Sequence, residues 1–185
     1  SNTLAAYAPL GAGIPNCKLD HVVGVLKSYS TCVGAGPFAA ENAMGEEWNE
    51  KLRKAGGEYG AATGRPRRVG PLDLVATRYG VKVQGATSIA LTKLDILSYM
   101  EEIPVCIAYD IDGKQTEAFP FPSQLAKAKP VIETLPGWGC DISGVRYWED
   151  LPQAAQDYVT YVEDQIGCPI TYVSVGADRD AIIQR

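Results

Sequence analysis

A long amphipathic helix that leads directly into a short apolar strand is the feature that most constrains the fold of this chain. Pro152 suits the start of the helix and Gly167 its end. Apolar residues recur between them at the spacing of one helix face, namely Ala155, Tyr158, Val162 and Ile166. The apolar segment from Ile170 to Val175 then predicts a buried strand.

Further strands are predicted upstream of this helix. Residues 87–92 are short and apolar, and Pro104 to Asp110 form a second such segment. The Asp112-Gly113 pair that follows is typical of a hairpin turn into a strand from Lys114 to Phe119. Helices that alternate with short strands predict an α/β fold, and the hairpin predicts a mixed β-sheet with flanking helices. No linker or repeat divides the chain, so residues 1–185 are expected to form a single domain.

Three helices are predicted in the first half of the chain. The first begins at Leu19, carries His21 as a surface or boundary residue, and has apolar residues at helical spacing, namely Leu19, Val22, Val23, Leu26 and Tyr29. A charged helix is expected from Glu41 to Ala55, where Gly56 and Gly57 end it. Pro71 suits the first turn of a third helix, whose face continues through Leu72, Val75, Tyr79 and Val83. Residues 4–15 are predicted to be irregular.

Composition excludes several classes of function. The net charge of -5 and the pI of about 4.9 disfavour general binding to nucleic acid. No apolar segment approaches the length of a membrane span. Five dispersed cysteines disfavour a disulfide scaffold and a zinc site. Such cysteines are typical of a cytoplasmic protein with reduced thiols.

A cluster of arginines stands out in this acidic chain. We call residues 57–68 the arginine loop; it contains Gly64, Arg65, Pro66 and Arg67 after the tripeptide Ala61-Ala62-Thr63. Glycines let backbone amides approach a ligand, guanidinium groups match carboxylate and phosphate oxygens, and Thr63 adds a hydroxyl. The loop therefore suits an anionic small molecule, although a solvated basic turn would have the same composition.

Two further motifs follow predicted strands. Lys93-Leu94-Asp95 could select guanine, because a carboxylate can accept hydrogen bonds from the ring N–H and the exocyclic amine, while the lysine stem packs on the base. Ser174-Val175-Gly176 could present backbone groups to the same base. Ligands of α/β folds lie at the carboxyl ends of strands, so both motifs would line one crevice if their strands are close. In isolation, the first motif is more often plain surface and the second is more often a plain turn after a strand.

Other chemistry is missing from the sequence. There is no GxxxxGK[ST] phosphate loop and no cluster of carboxylates for magnesium, so we predict no catalytic residue and no metal ligand in this chain. The acid pairs Glu46-Glu47 and Glu101-Glu102 are neighbours on their elements and are interpreted as solvated surface. The chain is not expected to bind and split a nucleoside triphosphate unaided.

Five motifs occur in an order and spacing that resemble those of the adenylosuccinate synthetase family. They are Val33-Gly34-Ala35-Gly36-Pro37-Phe38, Gly64-Arg65-Pro66-Arg67-Arg68, Leu91-Thr92-Lys93-Leu94-Asp95, Glu133-Thr134-Leu135-Pro136-Gly137-Trp138 and Ser174-Val175-Gly176-Ala177-Asp178-Arg179. The resemblance covers essentially the whole chain. It implies the carboxyl-terminal portion of that family's fold, which is related to the P-loop NTPases, within a homodimeric enzyme. The family joins IMP to L-aspartate with GTP and Mg²⁺, and its phosphate loop, catalytic residues and Mg²⁺ ligands precede the matching region, so this chain alone is expected to be inactive.

The resemblance also implies roles for individual residues. Ala61 to Arg67 correspond to the aspartate-binding loop, in which Arg65 would also contact IMP and Arg67 would lie near GTP and aspartate. Val33 would lie against the IMP ribose. The guanine would be held by two segments, Lys93, Leu94 and Asp95 on one side and Ser174, Val175 and Gly176 on the other.

Several positions depart from the family pattern. Ala62 stands where threonine is usual, Cys32 replaces an arginine, and Pro71 replaces a tryptophan, while Ala39-Ala40 replace Pro-Thr. These departures predict altered affinity rather than a different reaction. Two other functions fit the residues without the resemblance: a non-catalytic guanine-nucleotide or anion-binding module, and an interaction domain whose arginine loop binds a partner protein.

Overall fold

The computed structural model describes residues 2–185 as a mixed α/β structure. Ten strands are present in the described part: β1 Val23–Lys27, β2 Ser30–Cys32, β3 Arg68–Gly70, β4 Leu72–Asp73, β5 Ser88–Thr92, β6 Glu102–Ile111, β7 Lys114–Thr116, β8 Lys129–Pro136, β9 Ile170–Ser174 and β10 Ile182–Gln184. The α-helices are α1 Ala8–Gly11, α2 Glu46–Gly56, α3 Leu74–Gln84, α4 Pro122–Leu125 and α5 Gln153–Ile166. Three 3-10 helices lie at Ala5–Tyr7, Leu94–Leu97 and Trp148–Asp150.

One sheet organises the region that carries the two motifs predicted to bind guanine. Its strand order is β1-β5-β9-β10, with β1, β5 and β9 parallel and β10 antiparallel to β9. A second sheet pairs β6 with β4, β7 and β8, and β2 pairs with β3 as a separate ribbon. The main core contains the buried face of α5, including Tyr158 and Val162, together with buried residues of β5 and β9 such as Leu91 and Val173. The mixed sheet predicted from the hairpin is therefore confirmed.

Several predicted elements are confirmed. The strand of residues 87–92 is β5, and α5 ends at Gly167, whose left-handed φ of 63° closes the helix. The hairpin between β6 and β7 turns at Asp112 and Gly113, which both have positive φ as a type I′ turn requires. The strand predicted at 170–175 is β9, but β10 follows it and was not predicted.

The helix predicted from Leu19 is wrong. Residues 23–27 form the strand β1, which pairs in parallel with β5 from Val23 opposite Ser88 to Lys27 opposite Thr92. His21 lies in an exposed segment before this strand. The apolar spacing was misleading, because Leu19 and Val23 of the predicted face are exposed and the residues do not share a buried helix face. Pairing along β5 outweighs the local periodicity.

The bounds of the other two early helices also differ. Residues 41–45 form turns in which Asn42 and Gly45 have positive φ, so α2 begins at Glu46 rather than Glu41. Pro71 is not in a first helical turn, because Leu72 and Asp73 pair with β6 instead. The Asp73 carboxylate then caps α3 by accepting a hydrogen bond from the Ala76 amide at 3.0 Å.

Two remaining observations concern the ends and the surface of the chain. The segment expected to be irregular at residues 4–15 contains the 3-10 helix Ala5–Tyr7 and the single turn α1. Among residues 2–185, no helix combines the length and the apolar character that crossing a lipid bilayer requires.

Candidate functional site

Three parallel strands end at the same edge of the first sheet. Lys27 is the last residue of β1, Thr92 is the last residue of β5, and Ser174 is the last residue of β9. Lys93-Leu94-Asp95 follows β5 and Ser174-Val175-Gly176 ends β9, so these motifs lie on neighbouring strands. The 3-10 helix Leu94–Leu97 also contacts β9. This edge is where ligands of parallel sheets are bound.

Asp95 presents a carboxylate without a partner from elsewhere in the described chain. Its side chain is half-buried, and within residues 2–185 no other residue donates a hydrogen bond to it. Burial raises the pKa of Asp95 and the nearby Asp141 adds to that effect, whereas its own amide and Lys93 oppose it. The carboxylate is therefore partly desolvated and still able to accept hydrogen bonds from a ligand.

Lys93 is held in an uncommon backbone conformation. Its φ of 63° is left-handed, which is rare for a residue with a side chain, and it turns the chain from β5 into the short helix that carries Asp95. The ammonium donates to the Gly56 carbonyl at 2.7 Å and to Glu58 Oε1 at 3.2 Å. In this structure the ammonium thus faces the arginine loop, while the side chain as a whole is about one-third exposed.

The hydrogen-bonding groups of Ser174-Val175-Gly176, the second motif predicted to bind guanine, are largely paired within the protein. The Ser174 hydroxyl donates to the Gly176 carbonyl at 2.9 Å, and the Val175 side chain is fully buried in the core. The Val175 amide is also used, since it donates to the Ala181 carbonyl at 3.0 Å. Gly176 is tightly packed, because an added Cβ would lie 3.0 Å from that of Ala181.

The arginine loop forms a short hairpin with an exposed tip. Tyr59 and Pro66 face each other in an antiparallel bridge, and the Gly60 amide donates to the Arg65 carbonyl at 2.8 Å. The tip, residues 61–66, is exposed throughout, and it turns at Gly64 with a φ of 65°. In the described chain no side chain or carbonyl pairs with the Arg65 guanidinium. Ala61, Ala62 and Thr63 lie on the same tip.

The arginines of the cluster are directed to different partners. Arg67 forms an ion pair with Glu58 Oε2 at 2.8 Å. Arg68 turns away to Glu41 at 2.9 Å and donates to the carbonyls of Gly34 and Gly36 at 2.8 and 2.7 Å. Arg68 thereby holds the segment that follows Val33, whose side chain is 83% exposed. The sequence cluster is thus divided between the loop and the neighbouring segment.

Glu58 connects the arginine loop to the end of β5, and the sequence did not identify it. Its side chain is 0% exposed. The carboxylate accepts hydrogen bonds from four groups: Lys27 at 2.9 Å, the Tyr29 hydroxyl at 2.7 Å, Arg67 at 2.8 Å and Lys93 at 3.2 Å. Burial raises the pKa of Glu58, but the four donors together outweigh burial and lower it to about 2. Glu58 is therefore charged at neutral pH.

We expect this carboxylate to make stability depend on pH. Because the pKa of Glu58 is lower in the folded chain than its ordinary value of 4.5, its stabilisation is complete above that pH and is lost as the pH falls towards about 2. The free energy of unfolding of the wild-type chain should exceed that of Glu58→Gln by the largest margin at neutral pH. This margin should shrink by up to about 3 kcal/mol in acid. The decrease will be smaller than this limit, because solvent screens the part-exposed cations.

Denaturant titrations of both chains at a series of pH values measure this margin. Other carboxylates are common to the two chains, so their titration cancels in the difference. A margin that stays constant from neutral to acid pH would show that Glu58 is not held as a charged group.

Two other clefts have less suitable chemistry. One of about 400 Å³ lies between β1 and α3 and has no charged residue in its lining, which includes Val25, Thr77 and Gln84. Another of about 580 Å³ lies beside the β6–β7 hairpin and includes Tyr79 and Phe119, whose rings stack. Neither contains the convergent charged groups found around Glu58. We therefore place the candidate site at the carboxyl ends of β1, β5 and β9.

A metal ion has no evident site in the part of the chain that the structure describes. Across residues 2–185, no group of three or more histidines, cysteines or carboxylates is placed to hold one. The candidate site instead concentrates cations around one buried carboxylate and leaves a second carboxylate, Asp95, available. This arrangement would suit an anionic ligand with a hydrogen-bond donor at one end.

Comparison with known proteins identifies the family of this chain. The family model for adenylosuccinate synthetase matches residues 1–183, and this chain belongs to the adenylosuccinate synthetase family. Adenylosuccinate synthetases of Streptomyces coelicolor and Mycobacterium marinum are 49% and 48% identical to it over 185 and 186 residues, which is 100% of this chain and 43% of each relative. The chain therefore spans about two-fifths of the length of these curated relatives.

A solved structure shows the same fold. The fully ligated adenylosuccinate synthetase from Plasmodium falciparum superposes with a TM-score of 0.92 at 36% identity, covering 100% of this chain and 44% of that one. The fold class expected from the sequence motifs is thus confirmed. The chain has the fold of part of an adenylosuccinate synthetase.

Proposed function

We propose that this chain is the carboxyl-terminal portion of a GTP-dependent ligase that joins IMP and L-aspartate into adenylosuccinate, with release of GDP and phosphate, in purine nucleotide biosynthesis. The observation that carries the proposal is the connection through Glu58, which brings the base of the arginine loop against the end of β5. Membership of the family supports the reaction, and the geometry supports a two-part site within this chain.

The guanine of GTP would lie at the ends of β5 and β9. The Asp95 carboxylate would accept hydrogen bonds from the ring N–H and the exocyclic amine, and adenine offers no matching pair of donors. The stem of Lys93 and the backbone of Ser174, Val175 and Gly176 would contact the base, with Leu94 buried beneath it. Partial burial of Asp95 would strengthen these hydrogen bonds, because fewer waters compete for the carboxylate.

The arginine loop would bind the other substrates. The exposed tip from Ala61 to Pro66 would close on aspartate, with Arg65 donating to a carboxylate and contacting IMP, while Thr63 and the loop amides add donors. Arg67, fixed at the base by Glu58, would lie between aspartate and GTP. Val33 would contact the IMP ribose, and the exposure of its apolar side chain leaves that side chain available to a ligand.

The chemistry itself requires groups outside these 185 residues. The γ-phosphoryl of GTP is transferred to the base oxygen of IMP, and the aspartate amine then displaces phosphate. Mg²⁺ would neutralise charge on the transferred phosphoryl group, and its ligands would belong to another part of a longer enzyme. This chain would bind and orient substrates. We further propose that the whole enzyme is a homodimer of the cytoplasm that binds neither nucleic acid nor membrane.

The proposal is tested by comparing a full-length protein that contains this sequence with the 185-residue chain alone. The full-length protein should release phosphate only when IMP, aspartate, GTP and Mg²⁺ are all present, and removing Mg²⁺ by chelation should abolish turnover. The chain alone should give no turnover, because it has no phosphate loop and no catalytic residue.

A non-catalytic guanine-nucleotide or anion-binding module is the second candidate, favoured by the lack of a GxxxxGK[ST] loop in the sequence. Binding of GTP by the full-length protein without any turnover would support that module and contradict the ligase. Turnover by the 185-residue chain alone would show that catalytic groups had been placed outside it wrongly.

A further inference from the structure

We propose that Glu58 is a positioning residue, which fixes the guanidinium of Arg67 and the ammonium of Lys93 relative to one another. Through these two contacts Glu58 couples the arginine loop to the guanine subsite. The proposal rests on the proposed function for the assignment of the two subsites. Its structural basis is independent of that assignment, because it follows from the contacts of one buried carboxylate.

The four donors to Glu58 come from three separate parts of the chain. Oε1 accepts from Lys27 at the end of β1, from Tyr29 after it and from Lys93 after β5, while Oε2 accepts from Arg67 of the arginine loop. Lys27 is 31 positions from Glu58 in the sequence and Lys93 is 35 positions from it, yet both bind the same carboxylate. A buried carboxylate that accepts hydrogen bonds from several donors holds those donors in one arrangement.

The side chains around Glu58 carry more positive than negative charge, and the excess is available to ligands. Three cations surround a single buried carboxylate, and their side chains are 29% exposed for Lys27, 36% for Arg67 and 35% for Lys93. Glu58 neutralises one of the three positive charges. The remaining positive charge faces the solvent side of the cluster, where anionic groups of substrates would be attracted.

The protein packs closely behind this cluster and leaves it little freedom. The Lys93 ammonium also binds the Gly56 carbonyl at 2.7 Å, and a Cβ at Gly56 would lie 2.3 Å from the Tyr29 hydroxyl. Arg53 of α2 donates to the Arg67 carbonyl at 3.0 Å, and the Arg67 amide donates to the Glu58 carbonyl at 2.9 Å. The base of the loop is thus fixed from α2, while only its tip is exposed.

The variant Glu58→Gln of the full-length enzyme tests this role. Glutamine keeps the volume but removes the charge and one acceptor, so Arg67 and Lys93 lose their common partner. The KM values for aspartate and for GTP should each rise about tenfold or more. The KM for IMP should stay within about twofold, because Arg65 has no contact with Glu58.

The matched control is Glu163→Gln. Glu163 is also a partly buried carboxylate that binds an arginine, Arg185 at 2.9 Å, but it contacts the start of β9 rather than its ligand-facing end. All three KM values of this variant should equal those of the wild type. Equal increases in all three KM values for Glu58→Gln, accompanied by a lower melting temperature, would show a merely structural role and overturn the proposal.

A second measurement leaves Glu58 in place, in case Glu58→Gln does not fold. Arg67→Met and Lys93→Met are made singly and together, and the GTP KM of the double variant is compared with the product of the single effects. Coupling through Glu58 predicts a departure of at least about threefold from that product. Agreement with the product would overturn the proposal. Absence of turnover in the wild-type enzyme would instead contradict the proposed function itself.

Discussion

Replacing Asp95 with asparagine in the full-length enzyme is expected to reverse its choice of base from guanine to xanthine. The carboxylate accepts from two guanine donors, whereas an asparagine side chain offers one acceptor and one donor. Xanthine carries an oxygen in place of the exocyclic amine, so XTP matches asparagine and GTP does not. A site that leaves a polar group unpaired discriminates strongly, and kcat/KM for GTP should fall about 100-fold or more while that for XTP rises.

The measurement is kcat/KM for GTP and for XTP at saturating IMP and aspartate. Asp141→Asn is the control, since Asp141 lies close enough to raise the pKa of Asp95 yet is exposed. That variant should keep the preference for GTP. If Asp95→Asn used both triphosphates as the wild type does, Asp95 would not be in contact with the base.

The second large effect is expected for Arg65→Leu, which removes a guanidinium that makes no contact within the described chain. The loss of a charged contact to a carboxylate costs about 2–5 kcal/mol when the contact is buried by substrate. The variant should therefore show a large increase in the KM for aspartate or IMP, or a comparable loss in kcat. Its melting temperature should not change, because Arg65 lies on the exposed tip of the arginine loop.

Arg65→Lys provides the graded comparison for this prediction. Lysine retains the charge but cannot form the two parallel hydrogen bonds of a guanidinium, so its kinetics should lie between those of the wild type and those of leucine. Steady-state kinetics with aspartate and IMP varied separately will assign the effect to one substrate. Wild-type constants for Arg65→Leu would remove the tip of the loop from the substrate site.

Elements with a strong local signal were predictable from the sequence. The helix α5 has four apolar residues on one face and Gly167 at its end, and the β6–β7 hairpin has an Asp112-Gly113 turn. The motifs at the ends of β5 and β9 were also identified, because polar residues directly after apolar strands mark the ligand edge of α/β folds. The assignment of ligands to these motifs stays a prediction.

Features that depend on distant partners were not predictable. The strand β1 resembled a helix because its apolar residues follow helical spacing, and only its pairing with β5, more than sixty positions away, shows it to be extended. The short strands β2 and β3 exist through pairing with each other. Glu58 had the appearance of a surface acid beside Gly57, and nothing local indicated that Lys27, Tyr29 and Lys93 would enclose it.

The base of the arginine loop is fixed and its tip is exposed, so the two parts differ in which substitutions they tolerate. Ala62, which departs from the family's usual threonine, lies in the tip, where a side chain can be exchanged with little loss of packing. At Glu58 an exchange would leave Lys27, Arg67 and Lys93 without their common acceptor. At Gly56 an added methyl group would collide with Tyr29. Under the proposed function, a substitution in the tip would change the affinity for the acidic substrate without weakening the packing at the base of the loop.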